Sequence, residues 1–262
     1  MNQFWDRCIG RANELAVEES PPKELLTFYA KLLQVQKEIY DQFRGQRGWL
    51  PSGSLHEDMP VLRSCFPNLL SAVAEGGPAA LADEARNLSS TSDEVIQELL
   101  LTYWHSPSDT QFFAKAFLQP YARWLADSGG RPSDRTVDSQ ENRCPFCGGM
   151  PQLSCLQIRE ASAESGNRDL LCGTCLTSWQ FRRVVCAYCL EERPFKLGYF
   201  QAEEFNHVRV ETCDTCKRYI KGIDLTRFGL AVPLVDEVAA AALDVWAQER
   251  GYEKIELNLL GL

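Results

Sequence analysis

The chain has 262 residues, of which 45% are hydrophobic and 24% charged, and its formal net charge is −9. This length allows one large domain or two modest ones, each with its own core. The negative charge disfavours general nucleic-acid binding, because phosphate contacts need a positive surface. No run approaches the roughly 20 apolar residues of a membrane helix. The N-terminal segment also lacks the apolar core of a signal peptide, so we expect a cytoplasmic protein without membrane insertion.

Residues 1–127 are predicted to form an all-α domain. A helix is expected from Pro21 to Phe43, with Ser20 as its N-cap, because apolar residues recur there at helical spacing. Pro67 and the break at 76–78 should separate shorter helices, since glycine and proline interrupt helical patterns.

Two capping boxes predict the starts of two more helices, at residues 91–94 and 108–111. Apolar stripes follow each box, and we interpret them as core rather than as a cofactor site. Pro120 is expected to kink the last helix or make it restart, because proline has no N–H to donate.

The segment 128–142 is rich in glycine, serine and other polar residues, which predicts a linker. Residues 143–262 then form a second domain. Near its end, apolar residues at helical spacing predict one helix over about 234–250. The alternation of Ile255, Leu257 and Leu259 fits a short strand or an extended tail.

Eleven cysteines dominate the chemistry of the chain, and eight of them form four Cys-x-x-Cys pairs. The pairs are Cys144/Cys147, Cys172/Cys175, Cys186/Cys189 and Cys213/Cys216. Without a secretory signal, such pairs indicate metal ligation rather than a disulfide framework. The other three, Cys8, Cys65 and Cys155, are expected to be buried as small apolar residues.

The spacing of the pairs indicates a tandem duplication. Cys186 follows Cys144 by 42 residues, and Cys213 follows Cys172 by 41. The simplest assignment places one ion on the first two pairs and a second ion on the last two, with an interleaved arrangement as the alternative. Four thiolates suit zinc or iron, and the sequence does not choose between these metals.

A closed site of four thiolates leaves no open position for a substrate, which favours a structural role over a redox-active one. No phosphate loop, dinucleotide fingerprint, nucleophile elbow or histidine-rich metal motif occurs, so we expect no enzyme and no catalytic residues. His207 is expected at the surface and not as a ligand, and the acidic pairs at 191–192 and 203–204 are expected in solvent. Several basic residues lie near the pairs and could offset their charge: Arg143, Arg168, Arg182, Arg183, Lys217 and Arg218.

Residues 143–260 resemble the formate dehydrogenase accessory protein family (FdhE). The resemblance rests on the order and spacing of several motifs: Cys144-Pro-Phe-Cys-Gly; Asp169-Leu-Leu-Cys172-Gly-Thr-Cys175 with Trp179 and Arg183; Cys186-Ala-Tyr-Cys189; Glu211-Thr-Cys213-Asp-Thr-Cys216-Lys-Arg-Tyr219-Ile-Lys221; Pro233-Leu-Val-Asp236; Leu243-Asp244; Gly251-Tyr252; and Asn258-Leu. The helical N-terminal half is similar to the family only in its architecture and contains no sharp motif. Three residues, Leu176, Leu190 and Lys217, stand where a rubredoxin-type knuckle often has a glycine in a left-handed turn.

The resemblance implies an α+β protein, in which an all-α domain precedes a tandem rubredoxin-like or zinc-ribbon double metal-binding domain with a C-terminal helix. It implies a cytoplasmic accessory factor that binds the catalytic subunit of respiratory formate dehydrogenase and assists its maturation, with iron as the metal in some settings. The eight paired cysteines match the ligand positions of the family. A rubredoxin-like electron-transfer protein acting on the same client is the alternative, and a zinc-ribbon nucleic-acid binder is disfavoured by the acidic charge.

Overall fold

A computed structural model describes residues 3–17, 22–137, 140–158 and 167–262. Its helices are α1 (Gln3–Ala16), α2 (Lys23–Gly45), α3 (Leu55–Leu62), α4 (Phe66–Gly76), α5 (Ala79–Ser89), α6 (Asp93–His105), α7 (Phe112–Asp127), α8 (Pro233–Ala239) and α9 (Ala242–Glu249). Its strands are β1 (Pro151–Gln157), β2 (Asn167–Cys172), β3 (Ser178–Phe181), β4 (Leu197–Phe200), β5 (Val208–Cys213), β6 (Arg218–Asp224) and β7 (Glu253–Lys254). Helices followed by a sheet and two further helices confirm the predicted α+β class.

The helical half follows the sequence pattern closely. The break at 76–78 separates α4 from α5. Helix α6 begins within the first predicted box, at Asp93, and α7 begins directly after the second, although the N-cap residue of neither helix makes a side-chain cap bond. The predicted start of α2 at Ser20 and Pro21 lies outside the described residues. Helix α7 is central to this half, because ten consecutive residues from Phe113 to Ala122 are buried.

Of the two outcomes expected at Pro120, a restart is wrong, since α7 continues through this residue to Asp127, and a kink stays a prediction. A proline in a helix leaves the carbonyl four residues earlier without its usual donor. Here the Nε2 amide of buried Gln36 donates to the Ala116 carbonyl at 2.8 Å. A side chain from α2 therefore replaces the missing helical hydrogen bond.

The strands form one seven-stranded sheet with the order β3-β2-β1-β6-β5-β4, and β7 pairs with β6. Two antiparallel meanders, β1-β2-β3 and β4-β5-β6, are joined by parallel pairing of β1 with β6. Strand β5 follows β2 at the 41-residue interval of the cysteine pairs. The sequence repeat is therefore a structural repeat.

The prediction of one helix over 234–250 is wrong, because α8 ends at Ala239 and a second helix begins at Ala242. The apolar spacing continues across the break, but the two helices cover different cores. Val235 and Val238 of α8 belong to the large cluster shared with the N-terminal helices. Leu243 of α9 packs instead over β5 and β6. Tertiary packing thus overrides a continuous local pattern.

The two halves share their largest core. This cluster contains residues of α1, α2 and α7 together with the first four paired cysteines and α8. Arg11 of α1 donates to both carboxylate oxygens of Asp236 in α8, at 3.1 and 2.7 Å. The division of the chain at 127 and 143 stays a prediction. Within the described ranges, no helix combines the length and the hydropathy that crossing a membrane requires.

Candidate metal centres

Each Cys-x-x-Cys pair lies in a tight turn of the same design. In every turn, the N–H of the residue after the second cysteine donates to the carbonyl of the first cysteine, at 2.8–3.2 Å. Those four residues are Gly148, Leu176, Leu190 and Lys217, with φ angles of 73°, 57°, 61° and 57°. The last three are the non-glycine residues with positive φ in the described part of the chain.

A left-handed backbone costs a non-glycine residue roughly 1–2 kcal/mol. The knuckle geometry is nevertheless kept at the three positions where the sequence departs from glycine. This turn directs the two thiols of a pair towards one point, so the backbone strain occurs where the sulfurs converge.

The first site is made of the pairs Cys144/Cys147 and Cys172/Cys175, and all four thiols are buried. The Sγ atoms of Cys144 and Cys175 lie 3.5 Å apart, as do those of Cys147 and Cys172. The Thr177 hydroxyl lies 2.9 Å from Cys175 Sγ. This site lies inside the shared core, against the N-terminal helices.

The second site is made of the pairs Cys186/Cys189 and Cys213/Cys216. The sulfur of Cys186 is 3.7 Å from that of Cys216, and Cys189 is 3.7 Å from Cys213. Cys189 is exposed and Cys216 is half-buried. The predicted sequential pairing is therefore the one that the fold brings together, but the two sites differ strongly in their access to solvent.

The two groups fit a tetrahedral metal ion. With metal–sulfur distances of about 2.3 Å, the corners of a regular tetrahedron lie about 3.8 Å apart. In each group all four sulfurs lie within 4.8 Å of one another, and the shortest separations approach the tetrahedral edge. Each group could thus hold one ion. Four sulfur ligands suit zinc or iron, and the geometry does not distinguish these metals.

The electrostatics of the first group also favour a cation. Hydrogen bonds from Cys147, Cys172 and Cys175 lower the pKa of the Cys144 thiol far below its ordinary value, whereas burial raises the pKa of Cys172 and Cys175. The group therefore accepts one negative charge easily and resists more. Four thiolates require a compensating positive ion in so buried a site.

The N-terminal helices bond directly to the first site, which the sequence did not predict. Gln119 of α7 donates to the Gly173 carbonyl at 2.7 Å, and Arg123 donates to the Leu176 carbonyl at 3.0 Å. Both carbonyls belong to the second knuckle of this site. Neither Gln119 nor Arg123 belongs to a recognisable motif, and each is more than 50 residues away from its acceptor in the sequence.

Most of the basic residues near the pairs bond to carboxylates. Arg168 pairs with Glu211, Arg182 with Glu141 and Glu192, Lys217 with Asp214, and Arg218 with Glu253. Arg143 is half-buried, and Arg183 is exposed. Any compensation of thiolate charge by these side chains is therefore shared with protein carboxylates.

Two minor predictions about polar residues are wrong. His207 is not at the surface, since its side chain is 16% exposed and its Nε2 lies 2.8 Å from the Asp236 carboxylate. Glu191 is not solvated either, because its carboxylate accepts hydrogen bonds from Thr215 and Arg193. His207 and Glu191 each bond to a residue more than 20 positions away, Asp236 and Thr215, which no local pattern indicates.

The three remaining cysteines are buried, as predicted. Cys8 and Cys65 lie in the core of the helical half, and Cys155 lies on β1. Burial raises the pKa of Cys8 to about 12. These thiols are therefore apolar packing groups and are poor nucleophiles at neutral pH.

Comparisons with known proteins place the cysteine region in a recognised group of sequences. The family model "FdhE, central domain" matches residues 143–183, and "FdhE, C-terminal domain" matches residues 184–260. A "Protein FdhE homolog" of Aquifex aeolicus is 34% identical over 77% of this chain and 70% of that protein. "Protein FdhE" of Escherichia coli O127:H6 is 28% identical over 98% of this chain and 88% of that protein.

The similarity extends to the whole fold. A solved structure, "The crystal structure of the FdhE protein from Pseudomonas aeruginosa", matches with a TM-score of 0.71. The match covers 99% of this chain and 96% of that chain, at 24% sequence identity. At this identity the match supports the architecture, including the helical half that carries no sharp motif.

Proposed function

Because the chain belongs to the FdhE family, we propose that it is a cytoplasmic, non-enzymatic accessory protein that binds the catalytic subunit of respiratory formate dehydrogenase and assists its assembly. Eight cysteines would hold the two metal ions: Cys144, Cys147, Cys172, Cys175, Cys186, Cys189, Cys213 and Cys216.

The observation that carries this proposal is the closure of both cysteine groups. Four sulfurs complete a tetrahedral shell, so no position remains for a substrate or an activated water. Binding of a structural ion can contribute roughly 10–16 kcal/mol of apparent free energy to folding. A metal-stabilised surface that binds another protein accounts for this arrangement better than catalysis does.

Co-purification tests the proposal. The tagged full-length protein is expressed with the catalytic subunit and isolated in parallel with and without oxygen, and we expect the subunit to be retained. Cys147→Ser should abolish retention through loss of the first site. Cys65→Ala, which changes a buried cysteine outside both groups, should leave it intact. Absence of the subunit under both conditions would refute the proposal.

A second candidate is electron transfer to the same client, and the exposure of Cys189 favours it. A ligand at the surface brings a metal close to a docked redox partner, whereas the first site is enclosed. The test is elemental analysis with an absorption spectrum and a redox titration of protein purified without added metal. Iron with a reversible Fe(II)/Fe(III) couple supports electron transfer, and firmly bound zinc in the second site excludes it.

A further inference from the structure

The two faces of the sheet of the second repeat are covered differently, by the cluster beneath α9 on one side and by a smaller apolar cluster beside a cavity on the other. Val208 and Val210 of β5 pack in the cluster beneath α9. Arg209 and Glu211, which alternate with them and point to the other face, line a cavity of about 350 Å³. Strand β4 and the knuckle that begins at Cys186 form its other walls. We call this space the β4 cavity.

The lining of the β4 cavity is basic, although the protein as a whole is acidic. Its charged residues are Arg168, Arg183, Arg209, Arg218 and Glu211. Glu211 accepts hydrogen bonds from Arg168, Arg209 and the Ser154 hydroxyl, so its charge is balanced within the protein. Four thiolates with a divalent ion in the adjacent second site would add two negative charges and leave one net positive charge on the lining, while Glu253 outside the lining pairs with Arg218.

One arginine of the lining is held rigidly by the protein itself. Arg168 is 98% buried on its side chain and is held by the carbonyls of Arg182 and Val185, both at 3.0 Å. Its Nε–H has no hydrogen-bond acceptor among the described residues. This fixed guanidinium already binds the Glu211 carboxylate, so the arginines of the lining that solvent reaches are Arg183, Arg209 and Arg218.

Exposed aromatic side chains lie beside the cavity. Among the described residues, the exposed aromatic side chains are Tyr188, Phe195, Tyr199 and Phe200, all within 188–200. Tyr199 lines the cavity and is 73% exposed. The Arg218 guanidinium lies 4.8 Å from the Tyr188 ring centroid. Arginine and tyrosine together are typical of the residues that dominate protein interfaces.

Strand β4 lies at the edge of the sheet and has no strand partner on its outer side in the described part of the chain. An edge strand binds an extended peptide through backbone hydrogen bonds. Leu197 and Tyr199 of β4 line the cavity, so every second side chain of an added strand would face the same side. Those side chains would meet the arginines.

We propose that the β4 cavity binds an extended segment of a partner protein whose alternate side chains are acidic. Backbone pairing with β4 provides the register, guanidinium–carboxylate pairs provide the charge selectivity, and the aromatic side chains cover the bound strand. The inference rests on the proposed function in one respect only, which is that the bound segment belongs to the client subunit.

A peptide-binding measurement tests this surface. The probe is a fluorescein-labelled peptide of about ten residues with alternating glutamate and valine, and fluorescence anisotropy follows its binding to the full, metal-saturated chain. A lysine–valine peptide and a single-stranded oligothymidine of similar length are measured in parallel. We expect the acidic peptide alone to bind.

Three variants locate the binding. Arg183→Glu and Tyr199→Ser change exposed side chains of the cavity, and each should weaken acidic-peptide binding about tenfold. Arg47→Glu makes the same charge change at an exposed position in the helical half and should leave the affinity within about twofold. Equal weakening by Arg183→Glu and Arg47→Glu, equal binding of both peptides, or preferential binding of the oligonucleotide would each overturn the proposal.

Co-purification of the catalytic subunit separates this inference from the proposed function. We expect the wild-type protein to retain the subunit and Arg183→Glu to lose it. Equal retention by both proteins would refute the cavity as the client site, while the accessory function would stand. If the wild-type protein binds the acidic peptide but retains no subunit, the accessory function fails and the cavity proposal stands.

Discussion

The buried pair of Arg11 and Asp236 is expected to be a major determinant of stability, because it joins α1 to α8. The two side chains are 9% and 2% exposed, and their hydrogen bonds measure 3.1 and 2.7 Å. Asp236 also accepts the Val232 N–H at 2.7 Å and lies 2.8 Å from His207 Nε2. Asp236→Asn keeps the shape but leaves the buried guanidinium with only the exposed Glu14 as a counter-charge. Breaking such a pair costs about 3–5 kcal/mol.

The assay is urea unfolding of metal-saturated protein at a fixed metal concentration, since bound metal contributes to the apparent stability. A cycle of Asp236→Asn, Arg11→Met and the double variant should give a coupling energy of about 2 kcal/mol. Glu14→Gln is the matched control, because Glu14 contacts the same arginine at 2.9 Å but is 66% exposed. The control should cost about 0.5 kcal/mol or less. A loss below about 1 kcal/mol for Asp236→Asn, or additive single variants, would refute the reasoning.

The same pair predicts a dependence on pH. Burial alone would raise the pKa of Asp236, but hydrogen bonds from His207, Arg11 and the Val232 amide lower it below the ordinary 3.8. A lowered carboxyl pKa stabilises the folded state above pH 3.8, and this contribution is lost as the pH falls through the folded-state pKa. Asp236→Asn should therefore show a smaller loss of stability at acid pH than the wild-type protein does.

Three further outcomes follow from the metal centres and the thiols. A chromophoric chelator should remove the second ion at least about tenfold faster than the first, because Cys189 is exposed. Cys189→Ser should abolish the fast phase of metal release and Cys147→Ser the slow phase, and a single phase for both ions would contradict this expectation. In urea unfolding, Lys217→Gly should stabilise the protein by about 1 kcal/mol, because glycine adopts the left-handed backbone of this position without strain. Gly148→Ala should destabilise the protein by more than about 1 kcal/mol, since the φ of Gly148 is 73° and an added Cβ would lie 2.8 Å from a backbone carbonyl oxygen. The buried Cys8, whose pKa is raised to about 12, should resist iodoacetamide at pH 8 in the folded protein and react in urea, as mass spectrometry will show, and labelling of the folded state would refute its burial.

The cysteine chemistry was predictable from the sequence because its signal is local and repeated. Two ligands three positions apart define a knuckle, and the interval of 41 or 42 residues assigns the four knuckles to two groups. The left-handed residues were also foreseeable, since the ligand spacing fixes the turn. Leu176, Leu190 and Lys217 adopt it despite their side chains.

Features that depend on distant partners were not predictable from local patterns. Pro120 interrupts a helix in isolation, and only the amide of Gln36 on another helix explains why α7 continues. The break after α8 lies in a run of alanines with unbroken helical spacing. It is set by two separate cores, which no window of the sequence contains.

The two repeats place the same ligand set in different surroundings, and equivalent carbonyls show how. The carbonyl of Leu176, after the last cysteine of the first site, accepts a hydrogen bond from Arg123 of α7. The equivalent carbonyl of Lys217 accepts the backbone N–H of Glu253 in the C-terminal strand instead. The first site is thus covered by the N-terminal helices, whereas the second leaves Cys189 and the β4 cavity open to solvent. Metal in the first site should therefore stabilise the contact between the two halves, and metal in the second should stabilise the surface that we assign to the partner.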